Sequence, residues 1–387
     1  METLNFTQEQ VTKILSDIAV GKEGISKILK IFLEALMRAE RREHNESTMD
    51  VSNGYRPRKV IIHDTIFELR VPRSRYHHFY PVLLAVLKSQ QREMEALAFK
   101  LYGSGLTTEQ VGDIFKDLYG KHYSTSQISR MFAYAREEVK QWLERPLESY
   151  YPIIYIDATY ISTRRVDSVS KEAYYTVLGV KPDRTRDVLS IVNLPTESKE
   201  GWKFVFEQLL IRGLKRVDLV VSDAFLGIED AVSGVYSGVS HQFCVFHLKK
   251  NILHQIKPKD KDEIESELAE VFETDNKEDS ISNGWKRWLN FIEKNRNKYP
   301  VLERMKTERY RYYFTFLQYD YRIRSMIYTT NWLERLHKDF KRTTKMRGAL
   351  PSPEATILLL GYVAMNKKAY QRKVPKLNYD KSFDWEE

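Results

Sequence analysis

The period of the apolar residues changes at Arg145-Pro146, and the succession of elements beyond that point leaves few folds open. Up to there, hydrophobic residues recur at intervals of three and four, as in amphipathic helices. Beyond it they run in short blocks. Ile153-Ile154-Tyr155-Ile156 begins a strand, residues 174–180 and 188–194 make two more, and Pro182-Asp183-Arg184 supplies the turn between those two. Three strands in series predict an antiparallel meander. A helical pattern over 201–211 (GWKFVFEQLLI), a fourth strand over 217–221, a helix start at 228–232 and a fifth strand over 239–246 complete the order βββαβαβ.

That is the order of a ribonuclease H-like domain. The expected class is therefore α/β, with a mixed five-stranded sheet and helices. Residues 259–325, rich in Trp, Tyr and charge, read as an α-helical insertion that delays the last part of the core. Within it, Trp285 and Trp288 stand at helical spacing and read as core before they read as a stacking platform for bases.

Ahead of Pro146, residues 8–43 carry two amphipathic helices, with Val11, Ile14 and Leu15 and then Ile25, Ile28, Leu29, Phe32 and Leu36 on their stripes. Residues 45–57 are polar and turn-rich, with a tight turn at Asn53-Gly54, and read as a linker or loop. Residues 59–71 (KVIIHDTIFELRV) split around His63-Asp64-Thr65 into a β-hairpin that carries or precedes Arg70, Arg73 and Arg75. Thr107 with Gln110 and Ser124 with Gln127 are two capping boxes in succession. Each opens an apolar stripe, Val111, Ile114, Phe115 and Leu118 first and then, past Gly120, Ile128, Met131, Phe132 and Ala135. A plain αα-hairpin shares this grammar. Ser126, Gln127, Ser129 and Arg130 favour a helix-turn-helix, since such groups at a recognition-helix N-terminus suit phosphates and base edges.

Charge points the same way. Lys plus Arg number 62 and Asp plus Glu 53, a net +9 that favours a polyanion, nucleic acid ahead of an anionic membrane surface. Residues 285–350 hold 17 Lys/Arg against 6 Asp/Glu, so the positive excess is concentrated there. Residues 259–280 hold 10 acids against 3 lysines, and Asp260, Asp262, Glu263, Glu265 and Glu267 read as the solvated face of a helix. Cys244 is the only cysteine, which excludes an intramolecular disulfide and fits a reducing compartment. With no signal-like start and no run of about 18 apolar residues, the expectation is a soluble cytoplasmic protein associated with the nucleoid, with no membrane partner.

Three acids stand out. Asp157 interrupts the β-rich run IIYIDATYIST, where a charge is costly unless it is paired or binds metal; the alternative is an outward face on an edge strand. Asp223 ends a strand and is followed by Ala224-Phe225-Leu226-Gly227, a position that commonly binds ligands but equally suits an N-cap. Glu334 either completes a capping box with Asn331 or heads a basic stripe of Arg335, Lys338, Lys341, Arg342 and Lys345 opposite Leu333, Leu336 and Phe340. Such a stripe would line a DNA groove, or be an ordinary solvated face. Two aspartates and a glutamate hold two Mg²⁺ or Mn²⁺ ions in phosphodiester chemistry, one activating the attacking oxygen and one stabilising the leaving oxygen. The three lie 66 and 111 residues apart, so only the fold can gather them. Cys244-x-x-His247, with His241 three residues earlier, offers three zinc-ligand types where a structural zinc needs four. Cys244 and His247 are therefore read as structural, a small buried residue and a local hydrogen-bonding one.

Taken in order, these landmarks resemble the bacterial insertion-sequence transposases related to plant Mutator elements, over nearly the whole chain. They are Asn53-Gly54, Val71-Pro72-Arg73-Ser74-Arg75, residues 124–130 (STSQISR), Arg145-Pro146-Leu147 and Tyr155-Ile156-Asp157-Ala158. Downstream come Val221-Ser222-Asp223-Ala224 with Gly227, Cys244-x-x-His247 with Asn251, and Thr330-Asn331-x-x-Glu334-Arg335 with Lys341-Arg342. The resemblance implies that Asp157, Asp223 and Glu334 are an Asp-Asp-Glu catalytic triad, and that the N-terminal part recognises terminal inverted repeats. Where the family usually has Pro-Arg-Asp-Arg this chain has Pro72-Arg73-Ser74-Arg75, which leaves the triad untouched.

The expected activity is hydrolysis of a phosphodiester at the ends of the chain's own DNA element, then attack by the freed 3′-hydroxyl on a second strand. No nucleotide cofactor is expected. The partners are double-stranded DNA, as terminal repeats and as target, and a second copy of the chain in a homodimer or higher. The rivals are a regulator of the same descent that has lost catalysis and a structure-specific nuclease on the same fold; a membrane-surface role is the weakest. The expected segments are a helical region (1–50), a β-hairpin and helical DNA-end-binding segment (51–104), a helix-turn-helix (105–148), the first part of the core (149–257), the insertion (258–326) and C-terminal core helices with the third acid (327–387).

Overall fold

The computed structural model describes residues 22–62, 65–119 and 122–374, together with 7–9, 12–13 and 16. The first helix expected, with Val11, Ile14 and Leu15, and the turn residue Gly120 lie outside the described residues. The chain divides into two compact units, Met1–Ala135 and Arg136–Glu387.

In the first unit, helix α1 (Lys22–Thr48) and helix α2 (Val82–Gly103) cover one face of a hairpin made by β1 (Ser52–Ile62) and β2 (Thr65–Ser74). Strand alternation sets that face. Phe67, Leu69 and Val71 are buried with Leu33 and Met37 of α1 and Leu84 and Leu87 of α2. The stripe of α1 therefore runs through Leu33 and Met37, while Phe32 and Leu36, expected on it, are exposed. Nor is 45–57 a linker. Helix α1 continues to Thr48, β1 starts at Ser52, and the Asn53-Gly54 turn becomes a bulge in the ladder between Ser52 and Tyr55. Asp50 ties the corner. Its buried carboxylate accepts from the backbone N–H of Val51 (2.7 Å), Arg75 (3.2 Å), Tyr76 (3.0 Å) and His77 (2.7 Å). Burial alone would raise its pKa, but the four donors outweigh that and hold it well below the carboxylate range.

Helices α3 (Thr108–Tyr119) and α4 (Thr125–Met131) both carry the caps expected of them: Thr107 with Gln110 and Ser124 with Gln127 exchange bonds of 2.8 to 3.3 Å. Gly112 lets them approach, since a Cβ there would stand 2.6 Å from the Tyr123 carbonyl oxygen. The second apolar stripe is interrupted. Phe132 caps α4, and α5 (Ala133–Glu144) begins anew.

The second unit is built on a mixed sheet in the order β5-β4-β3-β6-β7. Strands β3 (Tyr150–Arg164), β4 (Val169–Val180) and β5 (Arg186–Leu194) form the expected antiparallel meander. Strand β6 (Arg216–Ser222) runs parallel to β3, and β7 (Ser240–Phe243) parallel to β6. Helix α6 (Lys199–Ile211) lays Trp202 against Tyr175, 4.6 Å between ring centroids, and α7 (Ile228–Val235) follows β6. After α8 (Val245–Gln255) comes a helical stretch of α9 (Lys261–Val271), α10 (Ile281–Asn295), two 3₁₀ segments (Pro300–Met305 and Glu308–Gln318) and α11 (Tyr321–Ile327). Trp285 and Trp288 are buried in it, as core. The acidic face is solvated only in part. Asp262, Glu263 and Glu265 are exposed, but Asp260 is buried, accepting from the Tyr299 hydroxyl (2.5 Å) and Lys298 (2.7 Å), because a distant turn closes over it. Gln242 fastens this stretch to the sheet edge, accepting from the Phe316 N–H (2.6 Å) and donating to the Tyr313 carbonyl (3.1 Å). Helices α12 (Asn331–Thr344) and α13 (Pro353–Met365) end the unit, with Trp332 of α12 against Tyr155 of β3 at 5.2 Å.

Candidate active site

Asp157 and Asp223 are delivered by register. The last rung that pairs β3 with β6 is Ile156 with Ser222, so the two aspartates follow on adjacent parallel strands at the same end of the sheet. Helix α12 crosses β3 there and brings Glu334. His337 of that helix, buried, stands with Nδ1 3.3 Å from Asp157 Oδ2. His247 of α8 stands with Nδ1 3.2 Å from Asp223 Oδ1 and Nε2 3.8 Å from Glu334 Oε1. His247 thus bridges Asp223 and Glu334, and His337, one turn on from Glu334, reaches Asp157. Side-chain exposures of 15% for Asp157, 44% for Asp223 and 21% for Glu334 leave all three open to solvent.

The bland alternatives do not describe these positions. Strand β3 is the middle strand of five, so Asp157 does not stand on an edge strand, and it pairs with Thr176 of β4 just beyond the last rung to β6. Helix α7 is capped by Gly227, in the left-handed region at φ +82, and Asp223 Oδ1 accepts only from the next N–H, that of Ala224 at 3.2 Å. Thr330 is the N-cap of α12, with Asn331 already helical, and no side chain caps that helix, so Glu334 is not half of a capping box.

His247, expected to make a local hydrogen bond, meets Cys244 three residues earlier and also faces the acids. Burial opposes its protonation, but the Asp223 carboxylate and the Cys244 sulfur outweigh it and push its pKa up to about 11. It is an imidazolium between two carboxylates. Cys244 is buried and accepts from the N–H and hydroxyl of Thr330 (both 3.4 Å), tying the start of α8 to the start of α12. His241 points away to Ser222 Oγ (2.8 Å), and burial lowers its pKa to about 4. The three zinc-ligand types therefore do not converge.

Among the described residues no three His, Cys, Asp or Glu side chains enclose a metal position as they stand. The donor chemistry nevertheless suits hard divalent cations: the cluster offers carboxylate oxygens, and Glu334 Oε1 is buried with no hydrogen-bond partner. The positive charge of His247 stands where a cation would be attracted.

The basic residues downstream share the helix face of Glu334. At about 100° per residue, Lys338, Lys341 and Lys345 fall within about 40° of it and Arg335 and Arg342 within about 100°. All five are exposed, and Leu333, Leu336 and Phe340 are buried on the other side. In the first unit Arg70, Arg73 and Arg75 are exposed, and β1 adds Arg56, Arg58 and Lys59, which pattern reading passed over. The guanidinium of Arg70 stacks on Tyr55 at 4.9 Å. Ser126 and Arg130 are exposed on α4; Gln127 Oε1 is occupied by its cap, leaving only the amide group for a partner.

Three further residues bear on the site. His337 has a sequence signal, three residues after Glu334 on one helix. Glu197, before α6, has none. Burial and then the charges of Asp157 and Asp223 raise its pKa, and Trp202 Nε1 holds it at 2.8 Å. Arg309, from the inserted stretch, has none either; it pairs with Glu229 and donates to the carbonyls of Ala224 (3.2 Å) and Phe225 (2.6 Å), the loop directly after Asp223.

Among the described residues no helix is long and apolar enough to cross a membrane. The family model described as "Transposase, Mutator family" matches residues 4–373. A transposase for insertion sequence element IS905 of Lactococcus lactis is 33% identical over 289 residues, 74% of this chain and 72% of that one. One for insertion sequence element IS1201 of Lactobacillus helveticus is 28% identical over 327 residues, 83% and 85% of the two chains. A solved structure, the Drosophila P element transposase strand transfer complex, superposes with a TM-score of 0.41 at 8% identity, covering 77% of this chain and 94% of that one. The chain belongs to the Mutator family of transposases, the enzymes that move insertion sequences by DNA recombination.

Proposed function

We propose that this transposase recognises the terminal inverted repeats of its own element and uses Asp157, Asp223 and Glu334 for metal-dependent cleavage and strand transfer. The observation that supports this most is the convergence of three carboxylates, 66 and 111 residues apart in the chain, at one end of the sheet. The strand order and its mix of pairings fit a ribonuclease H-like fold. The α3–α4 pair fits a helix-turn-helix that, with the basic hairpin, takes the repeat. Two DNA ends call for one centre each, hence a homodimer or higher.

The three acids would hold two Mg²⁺ or Mn²⁺ ions, which when bound activate the attacking oxygen and stabilise the leaving one. The chain's own side chains do the rest. His247 and His337 orient the carboxylates, and the stripe from Arg335 to Lys345 binds the phosphates that flank the scissile one. Carboxylates held in this way offer no covalent link to DNA.

The test is 3′-end cleavage and joining on labelled DNA from the ends that flank the gene, with Mg²⁺ or Mn²⁺. Wild type is expected to cut and join, and Asp157→Asn, Asp223→Asn and Glu334→Gln to bind the ends and do neither. Equal binding by all four with no reaction under either metal would instead make the chain a regulator. Cutting without joining, on any duplex, would make it a nuclease.

A further inference from the structure

Two apolar side chains that neighbour Asp223 and His247 in the chain stand in water. Leu226 is 79% exposed and Phe246 44%. Leu226 comes three residues after Asp223. Phe246 directly precedes His247, with 5.9 Å between the two ring centroids, and His247 in turn reaches Asp223 and Glu334.

Neither is carried on loose chain. Arg309 donates to the carbonyls of both peptides ahead of Leu226, pairs with Glu229 at 2.5 and 3.1 Å, and lies over the Phe243 ring at 4.9 Å. Gly227, at φ +82, turns the chain immediately after. Phe246 sits on the first turn of α8, whose leading N–H, that of Val245, donates to the Tyr328 carbonyl at 2.9 Å. Large apolar groups held out of the core on fixed backbone keep the stabilisation of burial available to a guest.

We propose that Leu226 and Phe246 form an apolar jaw that receives a nucleobase lifted out of the duplex next to the scissile phosphate. The proposal rests on the reading of Asp157, Asp223 and Glu334 as the phosphodiester site. With a phosphate at the acids and its neighbours along the basic stripe, the part of the strand left to meet an apolar surface is a base, and inside a paired stack its face is hidden. An aromatic ring and a branched aliphatic chain make no base-edge hydrogen bonds, so the jaw holds its guest by stacking and contact and tolerates any sequence. Unstacking has a cost, least where the base is already unpaired. Trp285 and Trp288 are buried and do not serve as this platform.

The test uses full-length protein carrying Glu334→Gln and a duplex copied from the DNA that flanks the gene, with 2-aminopurine placed in turn at each base pair around the terminus. This base brightens when it leaves the stack. Binding is expected to raise the signal several-fold at one position, and Phe246→Ser and Leu226→Ser in the same background to return it to the duplex level while gel shift still shows the complex. In otherwise wild-type protein the same two substitutions lower cleavage of a paired end about tenfold or more, and supplying that one base unpaired brings the rate back to within about twofold. A rise that survives both substitutions, or no rise at any position in a complex that gel shift shows to be bound, overturns the jaw whatever the acids do. A rise lost in both variants, with no cleavage by unsubstituted protein in Mg²⁺ or Mn²⁺, leaves the jaw standing and sinks the reading of the acids.

Discussion

Asp50 of the first unit and the three clustered acids of the second are held in opposite ways. In the first, Asp50 accepts from four backbone N–H groups and is closed off from solvent. In the second, Asp157 and Asp223 accept backbone bonds only from their own next residues, and Glu334 Oε1 has no hydrogen-bond partner. A carboxylate that only holds a fold together is saturated by the chain it holds. One whose partner comes from outside keeps open lone pairs, with imidazoles beside it.

Substitution at the open end of that comparison gives the largest expected effect on activity and the smallest on folding. Glu334→Gln is expected to lower end cleavage at least about a thousandfold. The same change removes a charge that backbone does not satisfy, so the thermal midpoint should stay within about 2 °C of wild type. A large fall in the midpoint would mean that Glu334 is structural and the comparison false. Calorimetry beside the cleavage assay decides it.

The closed end should behave in reverse. Asp50→Asn keeps the shape but turns an amide donor towards backbone donors, so the first unit is expected to melt about 5 °C lower or more, with end binding lost as it melts. The second unit, which holds the acids, should keep its own transition. Acid sharpens the point. The folded pKa of Asp50 lies below its unfolded value of about 3.9, so its contribution to stability is complete above that value and is lost as pH falls towards the folded one. Wild-type midpoints for the first unit should therefore drop from about pH 5 downwards, and the Asp50→Asn curve should be flatter over the same window. Parallel curves would show that the four N–H bonds do not hold Asp50 in its charged form.

How far the sequence carries follows from where each residue's partners lie. Asp157 and Asp223 are legible because strand periodicity stops at them, and the period after Arg145-Pro146 yields the succession βββαβαβ almost element for element, while the order of the strands across the sheet comes only with the structure. The caps at Thr107 and Ser124 are legible because a capping box is local. His247 is legible only in part: its contact with Cys244 is local, but Asp223 and Glu334 come from the end of β6 and from α12, and spacing within Cys244-x-x-His247 says nothing of either. Asp260 fails for the same reason: helical periodicity puts it in water, and Tyr299 from another turn covers it. The Phe32 and Leu36 stripe of α1 fails because Ile28, Leu29, Phe32, Leu33, Leu36 and Met37 offer two overlapping apolar faces, and only the hairpin selects one. Arg309 has no local pattern, since what it holds is backbone.

The smallest expected effects separate what the two units do to DNA. On α12, Lys338 and Lys341 lie near Glu334 on an exposed face, and if that face carries phosphates, as proposed, Lys338→Ala should weaken binding to end DNA and to random DNA equally. Each such change should lower the slope of log affinity against log salt by about 1. On α4, Arg130 is exposed, and on the proposed reading of base edges Arg130→Ala should cost about 1–3 kcal/mol on the end sequence and much less on random DNA. Fluorescence anisotropy across a salt series, with both DNAs and both variants, gives the four slopes and the two ratios. If Lys338→Ala erodes discrimination while Arg130→Ala moves only the salt slope, the assignments are reversed, and the repeat is read at the acids by the second unit.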